Sequence, residues 1–428
     1  MALALKHQDH LAIKHFNQSD ITMLAPNPRA TRSFQDTQSQ TDTVDFQAIT
    51  TRQDFDALEH EWNALFERSA RGTHVFQTFN WNWHWANTYV PRDEQPKSQI
   101  SLFIVTARRD GELIMVWPLV RERAHGLNQI LWMGDPVSQY GDVLLDHIDD
   151  GLSVMHDAWA FIQQTSGCDV VRLRHVRDDA NIAPLLAEIH ATTTDRQVAP
   201  YLDLARASTF EKYETRFTAK SRGNRRRLLR RLSDGKVVAF ERHNAGPRAG
   251  ELVRQALDLK AAWLRDRGLV STAISDARMA HFMAAAVAGN DKSVECVVAA
   301  LTVDGAPAAI EISFTCKGHL AQHVIVFDLK HEKAGVGILL MEQSLRDDFD
   351  DGIAVHDLLA PTATYKMDWA DATMAVNDWA IPMNLAGQVY AHVYLAHVRP
   401  RAKATVQALP PKLRKAVASG LGSIAVLM

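Results

Sequence analysis

The apolar positions along this chain follow two patterns, one typical of helices and one typical of strands. In the segment 54–69, five large apolar residues lie three or four positions apart, which predicts a helix with one buried face. The segments 100–120 and 294–314 each consist of two apolar runs joined by Asp-Gly, the pattern of a β-hairpin with a tight turn. Because the arrangement occurs twice, we interpret the chain as a duplication of one lobe that contains helices and a sheet.

The ends of the chain follow a different pattern. Residues 1–43 are polar and cannot bury enough apolar surface to offset the entropy of ordering, so we expect a disordered leader. The two lobes then occupy residues 44–200 and 201–385. Residues 386–428 follow as a cationic, partly helical tail, since the last fifty positions hold six Lys and Arg and no acid. We interpret this tail either as an amphipathic segment on the inner face of a membrane or on a partner protein, or as an arm packed against the body.

Composition excludes several classes of function. The 428 residues carry a net charge of −3, so any surface that binds anions must be local. Cys168, Cys296 and Cys316 are widely separated and lack metal-ligand spacing, so we predict neither a disulfide framework nor a metal site. No apolar run approaches the roughly 20 residues that span a bilayer, and the first residues do not form a signal sequence. We therefore expect a cytoplasmic protein.

One stretch of the second lobe carries candidate chemistry. The apolar, β-branched run 319–327 predicts a buried strand, and it is followed by Lys330, Lys333, Gly335 and Gly337 at the predicted start of a helix. Free amides at a helix start bind phosphate, and glycine leaves them accessible, so this loop is a candidate pyrophosphate site. The same glycines are equally consistent with a turn that lets a helix pack closely on a sheet.

The segment that follows this predicted helix resembles part of a known superfamily. An acidic strand at 353–359 with Asp357 is followed by Pro361, Tyr365, Lys366 and Trp369. This order resembles the coenzyme-binding half of the GNAT N-acetyltransferase superfamily, in particular its two-lobed, Fem-related branch, which includes CelD-like proteins of cellulose and exopolysaccharide clusters. The resemblance implies an α/β (mixed α+β) fold of two tandem GNAT-like lobes, each a mixed, mostly antiparallel sheet flanked by helices. Its implied cofactor is acetyl-CoA or another acyl-CoA, used as a co-substrate.

The resemblance also assigns roles to residues. Tyr365 stands where the superfamily often has the acid that protonates the leaving thiolate, and Asp357 belongs to the same catalytic set. Glu311 and His323 are polar residues in apolar strands, so each is either the base or a structural polar group. Glu332 stands where the superfamily's loop usually has Arg or Gln. The implied coenzyme-binding residues are Val324, Val326, Lys330, Lys333, Gly335, Val336, Gly337 and Ile338.

Two further groups are candidates for binding the acceptor or an anion. Tyr140 and Asp142 match the branch's Tyr-x-Asp pattern in the first lobe, which lacks a glycine loop of the phosphate-binding type and is expected to have no coenzyme site. The segment 216–231 holds eight cations in sixteen residues and is either a solvated helix face or an anion-binding surface. No pattern of sequence-specific nucleic-acid recognition accompanies it. The candidate residues of this group are Tyr140, Asp142, Arg222, Arg226, Arg230 and Lys366.

Three functions follow as alternatives. The first is an acyl-CoA-dependent acyltransferase, most simply an N-acetyltransferase, acting on a small-molecule or polysaccharide-precursor acceptor. The second is an aminoacyl-tRNA-dependent transferase of the Fem kind, which the arginine-rich helix favours. The third is a catalytically inactive accessory scaffold of a polysaccharide synthesis complex, which Glu332 and the cationic tail favour.

Overall fold

The computed structural model describes residues 43–91, 99–269, 271–288, 294–410 and 413–414. The expected disordered leader lies almost entirely outside these residues. Within them, no helix is both long enough and apolar enough to cross a membrane. The strands are β1 Val44–Ile49, β2 Ile100–Leu102, β3 Ile104–Arg109, β4 Glu112–Trp117, β5 Leu119–Ala124, β6 Leu127–Trp132, β7 Leu144–Leu145, β8 Val170–Arg177, β9 Thr192–Asp203, β10 Val238–His243, β11 Glu295–Val303, β12 Ala306–Cys316, β13 His319–Phe327, β14 Val355–Asp357 and β15 Ala372–Pro382.

The helices flank these strands. Short 3₁₀ turns lie at Gly72–Gln77, Leu204–Arg206, Glu214–Arg216 and Leu329–Ala334, and a π-helix spans Val389–Val398. The α-helices are α1 Arg52–Ala57, α2 Glu59–Ser69, α3 Phe79–Tyr89, α4 Gly151–Thr165, α5 Ala183–Glu188, α6 Phe210–Tyr213, α7 Ala219–Leu232, α8 Pro247–Arg267, α9 Thr272–Ser275, α10 Arg278–Ala288, α11 Val336–Asp350, α12 Thr364–Trp369, α13 Leu385–Gln388 and α14 Arg399–Ala408.

Eleven strands form one continuous sheet in the order β10-β11-β12-β13-β14-β9-β15-β8-β6-β5-β2, and β1-β3-β4-β7 form a second sheet. Two neighbouring pairs are parallel, β6 with β8 across α4 and β13 with β14 across α11, and the other pairs are antiparallel. The sheet therefore repeats one topology. Each half is completed by a strand from the other, since β9 pairs with β14 and β15 pairs with β8.

Local sequence signals explain many of these elements. Both predicted hairpins are confirmed, β3–β4 and β11–β12, and each Asp-Gly turn has positive φ at both residues. The predicted helix at 54–69 is confirmed as α1 and α2. The arginine-rich helix begins later than expected, at Ala219, because the Thr218 side chain accepts a hydrogen bond from the Ser221 amide and caps it. Arg216 lies in the 3₁₀ turn before it.

A buried carboxylate joins the two halves of the large sheet. Asp357, the last residue of β14, accepts hydrogen bonds from the Tyr140 hydroxyl at 2.8 Å and from the Arg177 guanidinium at 3.1 Å, both from the first half of the chain. His319 of β13 lies 3.3 Å away, and the Leu359 amide donates to the second oxygen at 2.8 Å. Burial alone raises the pKa of Asp357, but His319 and Arg177 outweigh it and hold that pKa below its ordinary value.

We expect Asp357→Ala to lower the free energy of unfolding by about 3 kcal/mol, because it leaves buried Arg177 without one of its two carboxylate partners. Chemical denaturation at neutral pH measures this change. Asp234→Ala, which removes an exposed acid, is the control and should change stability by less than about 0.5 kcal/mol. Equal stabilities of the two variants would contradict a structural role for Asp357.

Candidate functional site

Strand β13 loses its parallel partner part-way along its length. Residues 319–321 pair with β14, which ends at Asp357, whereas β13 continues to Phe327. On its other side β13 stays paired with β12 as far as Phe327. Among the strands that the structure describes, none pairs with the open edge of residues 322–327. An extended ligand can hydrogen-bond to such an edge as an added strand. The candidate residues Val324 and Val326 lie in this stretch, and their side chains are buried.

The open edge leads directly into the glycine-containing loop. After a 3₁₀ turn, Gly335 adopts a left-handed conformation with φ of 71°, and a Cβ there would lie 2.9 Å from Leu228 of α7. No side chain caps the start of α11, and the Ile338 amide donates to the Gly335 carbonyl at 3.0 Å, so the candidate anion-binding amides are those of Val336 and Gly337. Gly337 differs from Gly335, because its Cβ would make only an ordinary contact, 3.5 Å from Phe327. Sequence reasoning gave both glycines the same role, whereas the geometry requires glycine only at position 335.

Charges around this loop come from three helical segments. Lys330 projects into solvent, with 85% of its side chain exposed, and its nearest acid is Asp328 at 3.8 Å. Glu332 accepts a 2.6 Å hydrogen bond from Arg267 of α8, which offsets its negative charge. Arg231 of α7 donates to the Lys333 carbonyl at 3.1 Å. Arg267 was missed by sequence reasoning, since nothing local to α8 indicates a partner 65 residues away.

The arginines of α7 divide into structural and exposed groups. Arg225 is buried and forms an ion pair with Glu342 at 2.6 Å. Arg222 donates to the backbone carbonyl of Phe217. Arg226 and Arg230 are exposed, as are their neighbours Arg227 and Arg231. The helix therefore presents a cationic surface beside the α11 loop, and the sequence pattern alone could not separate its buried members from its exposed ones.

His323 lies at an irregularity of β13. The register with β12 shifts at this point, and the His323 ring packs among Phe76, Trp81 and Phe314. Nε2 lies 3.0 Å from the carbonyl oxygen of Val137, which requires a proton on Nε2, and Nδ1 has no hydrogen-bond partner in the described structure. Burial lowers the pKa of His323 to about 4. The ring is therefore neutral at physiological pH, with its lone pair on Nδ1.

Glu311 of β12 lies beside helix α11. It accepts hydrogen bonds from the Ser313 hydroxyl at 2.7 Å and the Ser344 hydroxyl at 3.0 Å, and burial raises its pKa. Close by, His356 Nδ1 lies 2.6 Å from Asp348. Burial lowers the pKa of His356, but Asp348 and Glu311 outweigh it and raise that pKa above its ordinary value. Sequence reasoning missed the His356–Asp348 pair, although both are polar residues in apolar surroundings.

Tyr365 and Lys366 lie on α12, after the end of β14. Lys366 donates to the carbonyls of Leu359 at 2.8 Å and Pro361 at 3.0 Å, which fixes the connecting loop. Burial, followed by the charge of Lys260, lowers the pKa of Lys366 to about 8. The Tyr365 side chain is 41% exposed, yet desolvation of its hydroxyl and the charge of Glu311 raise its pKa to about 12. Its phenol is therefore protonated at working pH.

The two candidates of the first half are buried. Tyr140 donates to Asp357, as described above, and burial raises its pKa. Asp142 accepts from the backbone amides of Asn181 at 2.8 Å and Ile182 at 3.1 Å, and it lies 2.9 Å from His74 Nε2. The structure thus brings Tyr140 to the end of β14, while Asp142 organises the loop before α5. In the described residues, no group of three His, Cys, Asp or Glu side chains is placed to hold a metal.

Comparison with known families identifies the second half. Residues 219–367 match the family model described as an acetyltransferase (GNAT) domain. Over this range the chain is similar to a GNAT acetyltransferase domain. The matched range begins at the first turn of α7 and ends within α12, so it includes the open edge of β13, the α11 loop and Tyr365. The prediction of a GNAT-type acyltransferase is confirmed.

Solved structures resemble the chain over most of its length. FemX aligns with 82% of this chain and 99% of its own, at 10% identity and a TM-score of 0.52. A tandem GNAT protein from the clavulanic acid biosynthesis pathway covers 80% and 99% at 14% identity and a TM-score of 0.44. L-PGS from Bacillus licheniformis covers 80% and 96% at 12% identity and a TM-score of 0.46. No curated protein sequence matches the chain. The predicted mixed α+β fold of two lobes is confirmed, since the sheet repeats one topology and FemX shares the fold.

The neutral state of His323 has a measurable consequence. Below about pH 6.5 an unfolded histidine takes up a proton, whereas the folded ring resists protonation down to about pH 4, so acidification favours the unfolded state. We expect the free energy of unfolding to fall between pH 6.5 and pH 4 by roughly 3 kcal/mol more in the wild type than in His323→Phe. Urea denaturation across this range measures it. If the free energy of unfolding fell equally in the wild type and in His323→Phe, the folded ring would take up its proton as readily as the unfolded one.

Proposed function

We propose that the protein transfers an acyl group, most simply acetyl, from acyl-CoA to an amine acceptor. The observation that carries this proposal is the open edge of β13, which runs into the Gly335 turn and the uncapped start of α11. The edge suits the amide-containing pantetheine arm, and the helix start suits the pyrophosphate. The start of α4 is the corresponding position in the first half. It does not suit a pyrophosphate, since Asp149 and Asp150 precede it and would repel phosphate.

Several residues then take binding roles. The backbone of Val324 and Val326 pairs with the pantetheine arm, and the amides at Val336 and Gly337 receive the pyrophosphate, whereas the Ile338 amide donates to the Gly335 carbonyl. Lys330 and Lys333 add positive charge beside it. The exposed Arg226 and Arg230 of α7 bind a further anionic group, either the 3′-phosphate of the coenzyme or an anionic acceptor.

The transfer forms a C–N bond between the acceptor amine and the thioester carbonyl and breaks the C–S bond. The amine loses a proton, and the departing sulfur gains one. His323 supplies an acceptor lone pair on Nδ1, directly or through water, and Glu311 is the alternative base. Tyr365 donates the proton to sulfur. Asp357 acts as a positioning residue, because its contacts described above are all to protein groups and fix the end of β14.

The acceptor class rests on the resemblance of the Asp357–Trp369 segment to the CelD-like branch. We assign it as a small-molecule or polysaccharide-precursor amine in cellulose or exopolysaccharide production, used in the cytoplasm. A second candidate is aminoacyl transfer from charged tRNA, which the exposed arginines of α7 favour through their attraction for a polyanion.

Thermal unfolding in the presence of different donors separates these functions, because a ligand that binds the folded state raises the melting temperature. We expect acetyl-CoA or a longer acyl-CoA to raise it in a saturable way. A rise with charged tRNA but not with acyl-CoA would support the second candidate. No rise with either donor would contradict both and leave the inactive scaffold.

Two glycines with left-handed backbones form a matched pair for testing the coenzyme site. Gly335→Ala should weaken acyl-CoA affinity about tenfold, because a Cβ there is strained at positive φ and meets Leu228, so the turn relaxes and moves the first amides of α11. Gly352→Ala is the control, since Gly352 has the same conformation, with φ of 72°, after the other end of α11, and it should bind like the wild type. Titration calorimetry measures both affinities. Unchanged affinity in Gly335→Ala would remove this loop from the site.

Replacement of Tyr365 tests the proposed acid. Tyr365→Phe keeps the ring and deletes the proton, so we expect kcat to fall by roughly 10² with little change in acyl-CoA affinity. Release of free coenzyme A in the presence of a productive amine measures kcat. Tyr394→Phe, on the C-terminal π-helix, is the matched control and should retain wild-type turnover. Wild-type turnover by Tyr365→Phe would make this residue structural.

A further inference from the structure

The helical segment 385–408 follows the last strand and has two different sides. It comprises α13, the π-helix and α14. On one side, Tyr390, Ala391 and Leu395 are buried and pack with Val170 and Ala380 of the large sheet. This buried side fixes the orientation of the segment, so its other side is held in a defined place on the surface.

The other side carries an apolar stripe formed by Leu385, Val389 and Val393. These side chains are 75%, 57% and 51% exposed, and their spacing of four residues places them along one face. The stripe borders a groove of about 820 Å³, whose lining also includes Tyr390, Tyr394 and the turn residue His125. The neighbouring rings stack, with 5.2 Å between the centroids of the two tyrosines. Soluble surfaces rarely expose a continuous apolar patch without a binding role.

A positively charged residue follows the apolar stripe along the same face of the segment. The spacing of four residues leads from Val393 to His397 and then to Arg401, whose guanidinium donates to the His397 carbonyl at 3.0 Å. Lys403, two residues further along α14, lies on the opposite side of the helix and pairs with Asp195 of β9 at 3.9 Å. From residue 379 to residue 428 the sequence contains six Lys and Arg and no Asp or Glu. The segment itself therefore carries no acid that would repel a negatively charged surface.

We propose that this segment docks the protein on a membrane surface rich in anionic lipids. The apolar stripe enters the boundary between headgroups and acyl chains, and the tyrosines suit the same boundary, where aromatic rings with a polar end are favoured. Arg401 contacts a lipid phosphate. Charge complementarity selects this partner, because aliphatic and cationic residues on one helix face are the pattern of an interfacial helix, and each cation near an anionic bilayer strengthens binding roughly fivefold.

Vesicle co-sedimentation with the full-length protein tests the proposal. We expect binding to vesicles that mix phosphatidylcholine with phosphatidylglycerol, and weak or no binding to vesicles of phosphatidylcholine alone. Binding to the anionic vesicles should fall as salt is raised, since the lysine and arginine contribution is screened. Absence of binding to the anionic vesicles would overturn the proposal.

One double and one single variant test the two parts of the surface. Val389→Asp with Val393→Asp should weaken partitioning at least tenfold, on the order expected for losing two buried valines. Its control, Val237→Asp, alters a valine that is 71% exposed elsewhere and should bind like the wild type. Arg401→Glu should weaken partitioning at least about fivefold, because it removes one cation and adds an acid. Its control, Lys236→Glu, makes the same change in net charge at an exposed lysine elsewhere and should have a smaller effect.

Two other outcomes would contradict the proposal, and a control measurement accompanies them. Wild-type partitioning by the Val389/Val393 variant would show that the stripe does not enter the bilayer. A dimer of the wild type in light scattering that is lost in the same variant would show instead that a second copy of the chain covers the stripe. Melting temperatures of all four variants close to that of the wild type would confirm that the substitutions act at the surface.

Discussion

The position of one buried carboxylate determines much of the second half of the molecule. Asp357 ends β14, and its partners come from both halves of the chain: Tyr140, Arg177 and His319. A charge in this dry environment is stable only while it is paired, so these contacts hold the end of β14 in place. Because β14 stops there, the far part of β13 has an open edge, and the chain turns toward the loop and α12.

The features of the candidate site follow from that open edge. A strand that loses its partner exposes backbone donors and acceptors in the direction of the next element, which here is a helix start preceded by a left-handed glycine. The two candidate bases lie in different surroundings, one in an aromatic cluster and one among hydroxyl groups beside α11. Their pKa values move in opposite directions, because burial disfavours the charged form of each. The second half therefore holds a neutral imidazole and a weakly acidic carboxyl group.

Local signals allowed part of this structure to be predicted from the sequence. The strand 319–327 and the two Asp-Gly hairpins were predicted correctly, because β-branched runs and tight turns are determined by neighbouring residues. The network around Asp357 could not be predicted, since its partners lie 180 and 217 residues away. The pairing of Glu332 with Arg267 and the different steric demands of Gly335 and Gly337 likewise depend on packing between distant elements. The sequence therefore indicated the loop, whereas the tertiary structure distinguished the roles of its individual residues.

The exchange of strands between the halves has a consequence for how such a protein can evolve. Once β9 had joined the second half and β15 the first, neither half could be deleted or inherited alone without leaving a long, unpaired strand edge open to aggregation. A half that had lost its own chemistry would still be retained, because its partner depends on it to complete the sheet. Duplication followed by exchange thus preserves a lobe for architecture and leaves its surface free to diverge.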